Sequence, residues 1–149
     1  MTDLEEIPSN YTWTDNYLVN IYKVDDQHKA LFATAAKLYK LLLGHEDLKE
    51  IDKIFSSLIR QTLVHFQTEE ELMKTHGYPD YPHHKELHDI LVQQLKDMQS
   101  SQQTIKSLNY LQPWIERLEV ADYLSGWLIN HIIDEDKKFG VFLQDNGIE

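Results

Sequence analysis

The sequence contains no cysteine. That excludes thiolate metal sites, cysteine nucleophiles, iron–sulfur clusters and disulfide staples, so any bound metal must be held by nitrogen and oxygen. Basic residues are scarce: 14 Lys and Arg stand against 25 Asp and Glu, for a formal charge of −11. Charge of that sign repels phosphate backbones and anionic headgroups, so neither nucleic acid nor a membrane is expected as a partner. Long apolar runs are missing too. No segment approaches the roughly 18 apolar residues a membrane span needs, and the opening MTDLEEIPSN is acidic, without the basic and apolar segments of a signal peptide. The lack of cysteine fits a reducing compartment, and the cytoplasm is the expected location. Glycine and proline number only five and four. They fall between long periodic stretches, which is the punctuation of helices rather than of sheets.

What is present is apolar periodicity. Residues 25–43 carry His28, Leu31, Ala35, Leu38 and Leu42 at alternating spacings of three and four, followed by Gly44 as a helix stop. A second stretch starts at Asp47, a candidate cap, and runs through Ile51, Ile54, Leu58, His65, Glu69 and Leu72 to Gly77. After the turn GYPDYP, Pro82 suits the first turn of a third helix bearing His84, Leu87, His88, Leu91, Leu95 and Met98. The polar link SSQQTIKSLN follows. Pro113 then opens a fourth pattern through Leu118, Ala121, Leu124, Leu128, His131, Ile132, Phe139 and Leu143. At 149 residues the chain is sized for one domain with its own core. The expected fold is all-α: an antiparallel up-down-up-down four-helix bundle over about 21–144, with an irregular N-terminal arm, about 1–20, that packs Trp13 and Tyr17 on it.

The inward faces of all four helices carry histidine. His65 and Glu69 stand four residues apart, on one face and one turn from each other, and His84 and His88 repeat that spacing. The first helix adds His28 and the fourth adds His131. A single core histidine is ordinarily satisfied by one hydrogen bond. Five imidazoles with an inward glutamate are another matter, because desolvating them is costly unless something binds and orients them, and a metal does both. His45 and His76 lie beside helix-ending glycines and His83 at a helix start, so solvated or capping roles are expected for them.

The blocks DDQHKAL, HFQTEEELM, GYPDYPHHKELH and WLINHIIDED, with Trp13 ahead of them, occur in the order found in the hemerythrins. The chain resembles that family, and specifically its bacterial single-domain forms, over nearly its whole length. The resemblance implies that His28, His65, His84, His88 and His131 are terminal ligands, while Glu69 and Asp136 bridge two iron ions that also share an oxo or hydroxo bridge. It implies further that the iron held by His28 and His65 keeps one position open for dioxygen, with two ferrous ions each supplying one electron. Reversible oxygen carriage, storage or delivery is then expected, not catalysis. Leu31, Phe66, Met73, Trp127, Leu128 and Ile132 match the positions that form the dry oxygen pocket in the family; ordinary core packing would explain them equally well.

One ligand strains the spacing argument. Asp136 lies about 140° around an ideal helix from His131, whereas Glu135 lies about 40° away. Spacing alone selects Glu135; the family pattern selects Asp136, and a π-bulge would reconcile them by making a five-residue step act as four. Glu70 and Glu71 compete with Glu69 in the same way, though there spacing and family agree. Gln27 and Asp25 are candidates for supporting or capping the ligands.

Rival readings remain. A ferritin-like di-iron oxidase or peroxidase would carry Glu-x-x-His pairs, and the sequence has none. A sensor of oxygen, redox state or nitric oxide would need a separate partner chain. Imidazole ligation alone also admits zinc or copper, so iron follows from the resemblance. The acidic surface leans towards a monomer.

Overall fold

The computed structural model describes residues 11–44, 47–105 and 113–148, apart from the side chains of 102–105, 113–118, 128, 129, 132 and 133. Among the described residues there is no strand. The long helices are α1 (Tyr22–Leu43), α2 (Leu48–His76), α3 (Tyr81–Ile105) and α4 (Pro113–Asn130). The rod that begins as α4 continues through a π-helix, His131–Asp136, into α5 (Lys137–Asp145). Helix α1 packs on α2, α2 on α3, α3 on α4 and α4 back on α1, which closes the ring of a four-helix bundle.

Local chemistry sets the ends of these helices. The Asp47 carboxylate accepts from the Lys49 amide at 3.0 Å and caps α2. At the other end Gly77 adopts φ 67°, a left-handed conformation that glycine enters without a Cβ penalty. Helix α1 starts three residues before the expected position. Its Asp25 carboxylate accepts from the amides of Val19 at 2.8 Å and Asn20 at 3.0 Å, so it caps the incoming arm and not a helix beginning at 25. Helix α3 runs on through residues 100–105, the first part of the expected polar link. Nothing there breaks a helix, and Gln99 ties this end of α3 to α2 by donating to Asp52 and Ser56. The rest of that link, and residues 1–10 of the arm, lie outside the described residues.

The described part of the arm crosses the bundle and is held by aromatic packing. Trp13 meets Phe32 edge-on at 5.4 Å, Tyr17 meets Phe32 at 5.0 Å, and the Tyr11 hydroxyl donates to the Ala121 carbonyl. Among the described residues the core is in two parts. The larger joins residues from α1 to α4, among them Phe32, Leu38, Leu42, Ile51, Phe55, Leu58, Leu95 and Leu124. The smaller joins Val19, Ile21, Val24, Met73, Phe139 and Leu143.

Gly140 in α5 is where arm and bundle touch most closely. A Cβ built there would lie 2.7 Å from the Val19 carbonyl oxygen and 2.9 Å from the Val19 Cβ. Alanine is the better helix former by up to about 1 kcal/mol, but contact with backbone at that distance cannot be absorbed without displacing the arm. Gly140→Ala is expected to destabilise the protein by about 1–3 kcal/mol, read as a lower urea midpoint; an unchanged or higher midpoint would show that the arm is not pinned there.

Candidate metal centre

Each helical rod contributes to one layer in the middle of the bundle. His28 comes from α1, His65 and Glu69 from one turn of α2, His84 and His88 from one turn of α3, and His131 and Asp136 from the two ends of the π-helix. All seven are buried, none more than 8 % exposed. In a regular α-helix Asp136 would point away from this layer. The π-helix supplies the extra residue per turn that the five-residue step requires, and Asp136 rather than Glu135 enters the layer. Glu135 instead lies 3.8 Å from Lys138, in a partly exposed trio with Asp80 and His83.

The donor atoms fall into two sets, each with its atoms within 4.8 Å of one another. One set is His84, His88, His131, Glu69 and Asp136; the other is His28, His65, Glu69 and Asp136. Both carboxylates belong to both sets. Asp136 turns Oδ1 towards the Nε2 atoms of His131 at 2.9 Å and His84 at 3.2 Å, and Oδ2 towards those of His28 at 2.8 Å and His65 at 3.5 Å. Glu69 divides the same way, with Oε2 facing His88 at 3.1 Å and His84 at 3.2 Å, and Oε1 facing His65 at 2.9 Å and His28 at 3.7 Å.

Two features of this arrangement suit cations. Adjacent donors on one cation with bonds of about 2.1 Å sit about 3 Å apart, which is the spacing of most of these pairs. Several buried inward atoms also lack a hydrogen bond among the described residues: Glu69 Oε1, His88 Nε2, His131 Nε2 and Asp136 Oδ1. Buried polar atoms are ordinarily paired. Lone pairs converging on a shared point are the exception that a metal satisfies.

The electrostatics point the same way. Burial drives the Glu69 carboxyl up and the nearby Asp136 charge adds to that, yet the imidazoles of His65 and His28 outweigh both and hold it well below the usual carboxylate range. Asp136 behaves alike: burial opposes ionisation, and His131, His28 and His65 overcome it. Burial pulls the His65 imidazole down, but Glu69 and Asp136 push it up to about 10, and His84 to about 9 by the same opposition. The layer is built for positive charge.

Around the layer, Gln27 accepts from His65 Nδ1 at 2.8 Å, while Asp25 serves the arm instead. Glu71 is exposed and bonds to Gln67. Glu70, which the sequence offers only as a rival to Glu69, accepts from His88 Nδ1 at 2.7 Å. Its position one residue past Glu69, about 100° further round the helix, was the available signal. Leu31, Phe66, Met73 and Trp127 are buried, and Phe66 stacks on the His88 ring at 3.7 Å with 2° between the planes. The side chains of Leu128 and Ile132 lie outside the described residues. A cavity of about 390 Å³, lined by Leu87, Leu91, Tyr123, Gly126 and Trp127, reaches His131 from the α3–α4 side. His83 is exposed and His76 half-buried, and both lie outside the buried layer; His45 is among the residues not described.

Comparison with known proteins agrees with this geometry. The family described as the hemerythrin HHE cation binding domain matches residues 19–143. The bacteriohemerythrin of Methylococcus capsulatus is 32% identical over 130 residues, covering 87% of this chain and 93% of its own. The myohemerythrin of Theromyzon tessulatum is 30% identical, covering 90% and 94%. A crystal structure of wild-type hemerythrin superposes with a TM-score of 0.72 at 32% identity, covering 87% of this chain and 95% of that one. The family match takes in all seven buried donors and every helix that carries them, and the chain belongs to the hemerythrin family.

Proposed function

We propose that this chain is a single hemerythrin-like domain that binds dioxygen reversibly at a non-heme di-iron centre, for carriage, storage or delivery. His84, His88 and His131 hold one iron and His28 and His65 the other. Glu69 and Asp136 bridge both, beside an oxo or hydroxo bridge. The single observation that carries this reading is the division of the buried donors into two sets sharing both carboxylates. Bound there, two ferrous ions supply the two electrons that dioxygen binding draws on.

The protein's own part is to hold and to exclude. The imidazoles of His28, His65, His84, His88 and His131 outnumber the carboxylates, and a nitrogen-rich set favours return of the electrons over oxidation of a substrate. Leu31, Phe66, Met73 and Trp127 keep water from the layer. With Leu128 and Ile132 they form the oxygen pocket in this reading. No helix among the described residues is long and apolar enough to cross a membrane, and a monomer working in the cytoplasm is the form we propose.

Anaerobic reduction followed by oxygen titration tests the reading. Two irons per chain, and a visible absorption band that rises with oxygen and vanishes on its removal, are expected. Irreversible bleaching would move the protein to an oxidase, peroxidase or redox sensor, and failure to take up iron would end the di-iron reading.

Stability of the metal-stripped protein should depend on pH in a defined sense. His65 and His84 have folded values of about 10 and about 9, above the ordinary 6.5, so their contribution is complete below pH 6.5 and lost as pH rises through 9 to 10. Glu69 and Asp136 are depressed from 4.5 and 3.8, so theirs is present above those values and lost in acid. The melting temperature is expected to peak between about pH 4.5 and 6.5. Ferrous loading near neutral pH should release protons, because the imidazoles must be neutral to ligate. Calorimetry in buffers of different ionisation enthalpy measures that release, while a melting temperature of the metal-stripped protein that stays flat from about pH 6 to 10 would contradict the expected stability profile.

A further inference from the structure

The two metal positions differ in more than their number of imidazoles. Behind His65, on the side away from the layer, stands a neutral amide; behind His88 stands a carboxylate. The orientation of the amide is fixed by a directed chain. Thr68 gives its one hydroxyl proton to the Val64 carbonyl at 3.0 Å, so its oxygen can only accept, and it accepts from Gln27 Nε2 at 3.0 Å. The Gln27 carbonyl oxygen therefore faces His65, and His65 Nδ1 must carry the proton. Its Nε2 is left free to face the layer.

Glu70 achieves the same tautomer at His88 by a different means. A carboxylate accepts and does not donate, so His88 Nδ1 carries the proton and Nε2 turns inward. The 2.7 Å separation is that of a charge-assisted bond. Glu70 is 14 % exposed, and its nearest cation, Lys85, stays 3.5 Å away and is itself drawn to Asp89 at 2.7 Å. Glu70 thus keeps much of its charge for His88, whose ring plane Phe66 fixes by stacking. By contrast, the Nδ1 atoms of His28 and His84 have no hydrogen-bond partner among the described residues.

Resting on the di-iron reading, we propose that Glu70 and Gln27 are positioning residues that make the two irons unequal in redox preference. A carboxylate drawing on an imidazole N–H makes the opposite nitrogen a stronger donor and stabilises the higher oxidation state of its metal, whereas an amide does so less. Glu70 adds this push to the position that already has three imidazoles. Removal of one electron from the diferrous protein by ferricyanide, which is reduced to ferrocyanide, therefore leaves the ferric ion at His84, His88 and His131. The ferrous ion stays at His28 and His65, the side on which the family resemblance implies an open position.

Exchanging charge and amide tests this. Glu70→Gln keeps an acceptor for His88 but removes the charge; it is expected to retain two irons per chain and to shift the first oxidation to more positive potential. Gln27→Glu should shift potential the opposite way. The doubly exchanged variant, Glu70→Gln with Gln27→Glu, should change which iron is ferric in the Mössbauer spectrum of the one-electron-oxidised protein. Glu70→Ala, which removes acceptor and charge together, should weaken binding of one iron by about 10–100-fold, and Glu70→Gln should recover most of that loss. If both single variants bind two irons at the wild-type potential, Glu70 and Gln27 merely support the fold and the proposal is overturned. If the wild-type protein itself does not bind two irons, the di-iron reading has failed first.

Discussion

Five imidazoles and two carboxylates lie buried in one layer, and the rest of the molecule is arranged around the cost of keeping them there. Two carboxylates that close repel each other, and burial penalises each charge separately. The layer compensates by interleaving: every Glu69 and Asp136 oxygen faces imidazole nitrogen, and no helix carries the cluster alone. Removing one member would leave its neighbours buried and unpaired, which is the most expensive outcome for a polar group in a protein interior.

That constraint explains the irregularity of the fourth rod. A regular helix through residues 131–136 would place Glu135 nearest the layer and turn Asp136 away from it. The π-helix brings both His131 and Asp136 inward, so the shorter carboxylate reaches both donor sets. It also rephases α5, so that Phe139 and Leu143 face the smaller core while Val141 stays exposed.

Much of this was legible in the sequence for reasons that can be stated. The four rods follow from apolar spacing and from where Gly44, Gly77, Pro82 and Pro113 fall. The pairs His65/Glu69 and His84/His88 follow from one turn of helix. Asp136 did not follow from spacing, because the periodicity argument assumes a uniform turn and the π-helix departs from it. The start of α1 and the end of α3 lie outside what apolar spacing reports, because Asp25 bonds back to the arm just ahead of the helix and Gln99 bonds across to α2. Glu70 was hidden for a related reason: its meaning lies in the ring it meets on α3.

The polar layer also acts as a septum between the two apolar clusters. On one side stands the large core shared by α1 to α4; on the other, a small group of six buried residues closed by the arm and α5. Among the described residues the two clusters stay separate, with imidazole and carboxylate between them, so a metal held by the layer would add a tie between the two sides. Without metal, amide exchange should then be layered, with the small α5 side opening at lower cost than the large core; a bound metal would rivet the two so that they open as one.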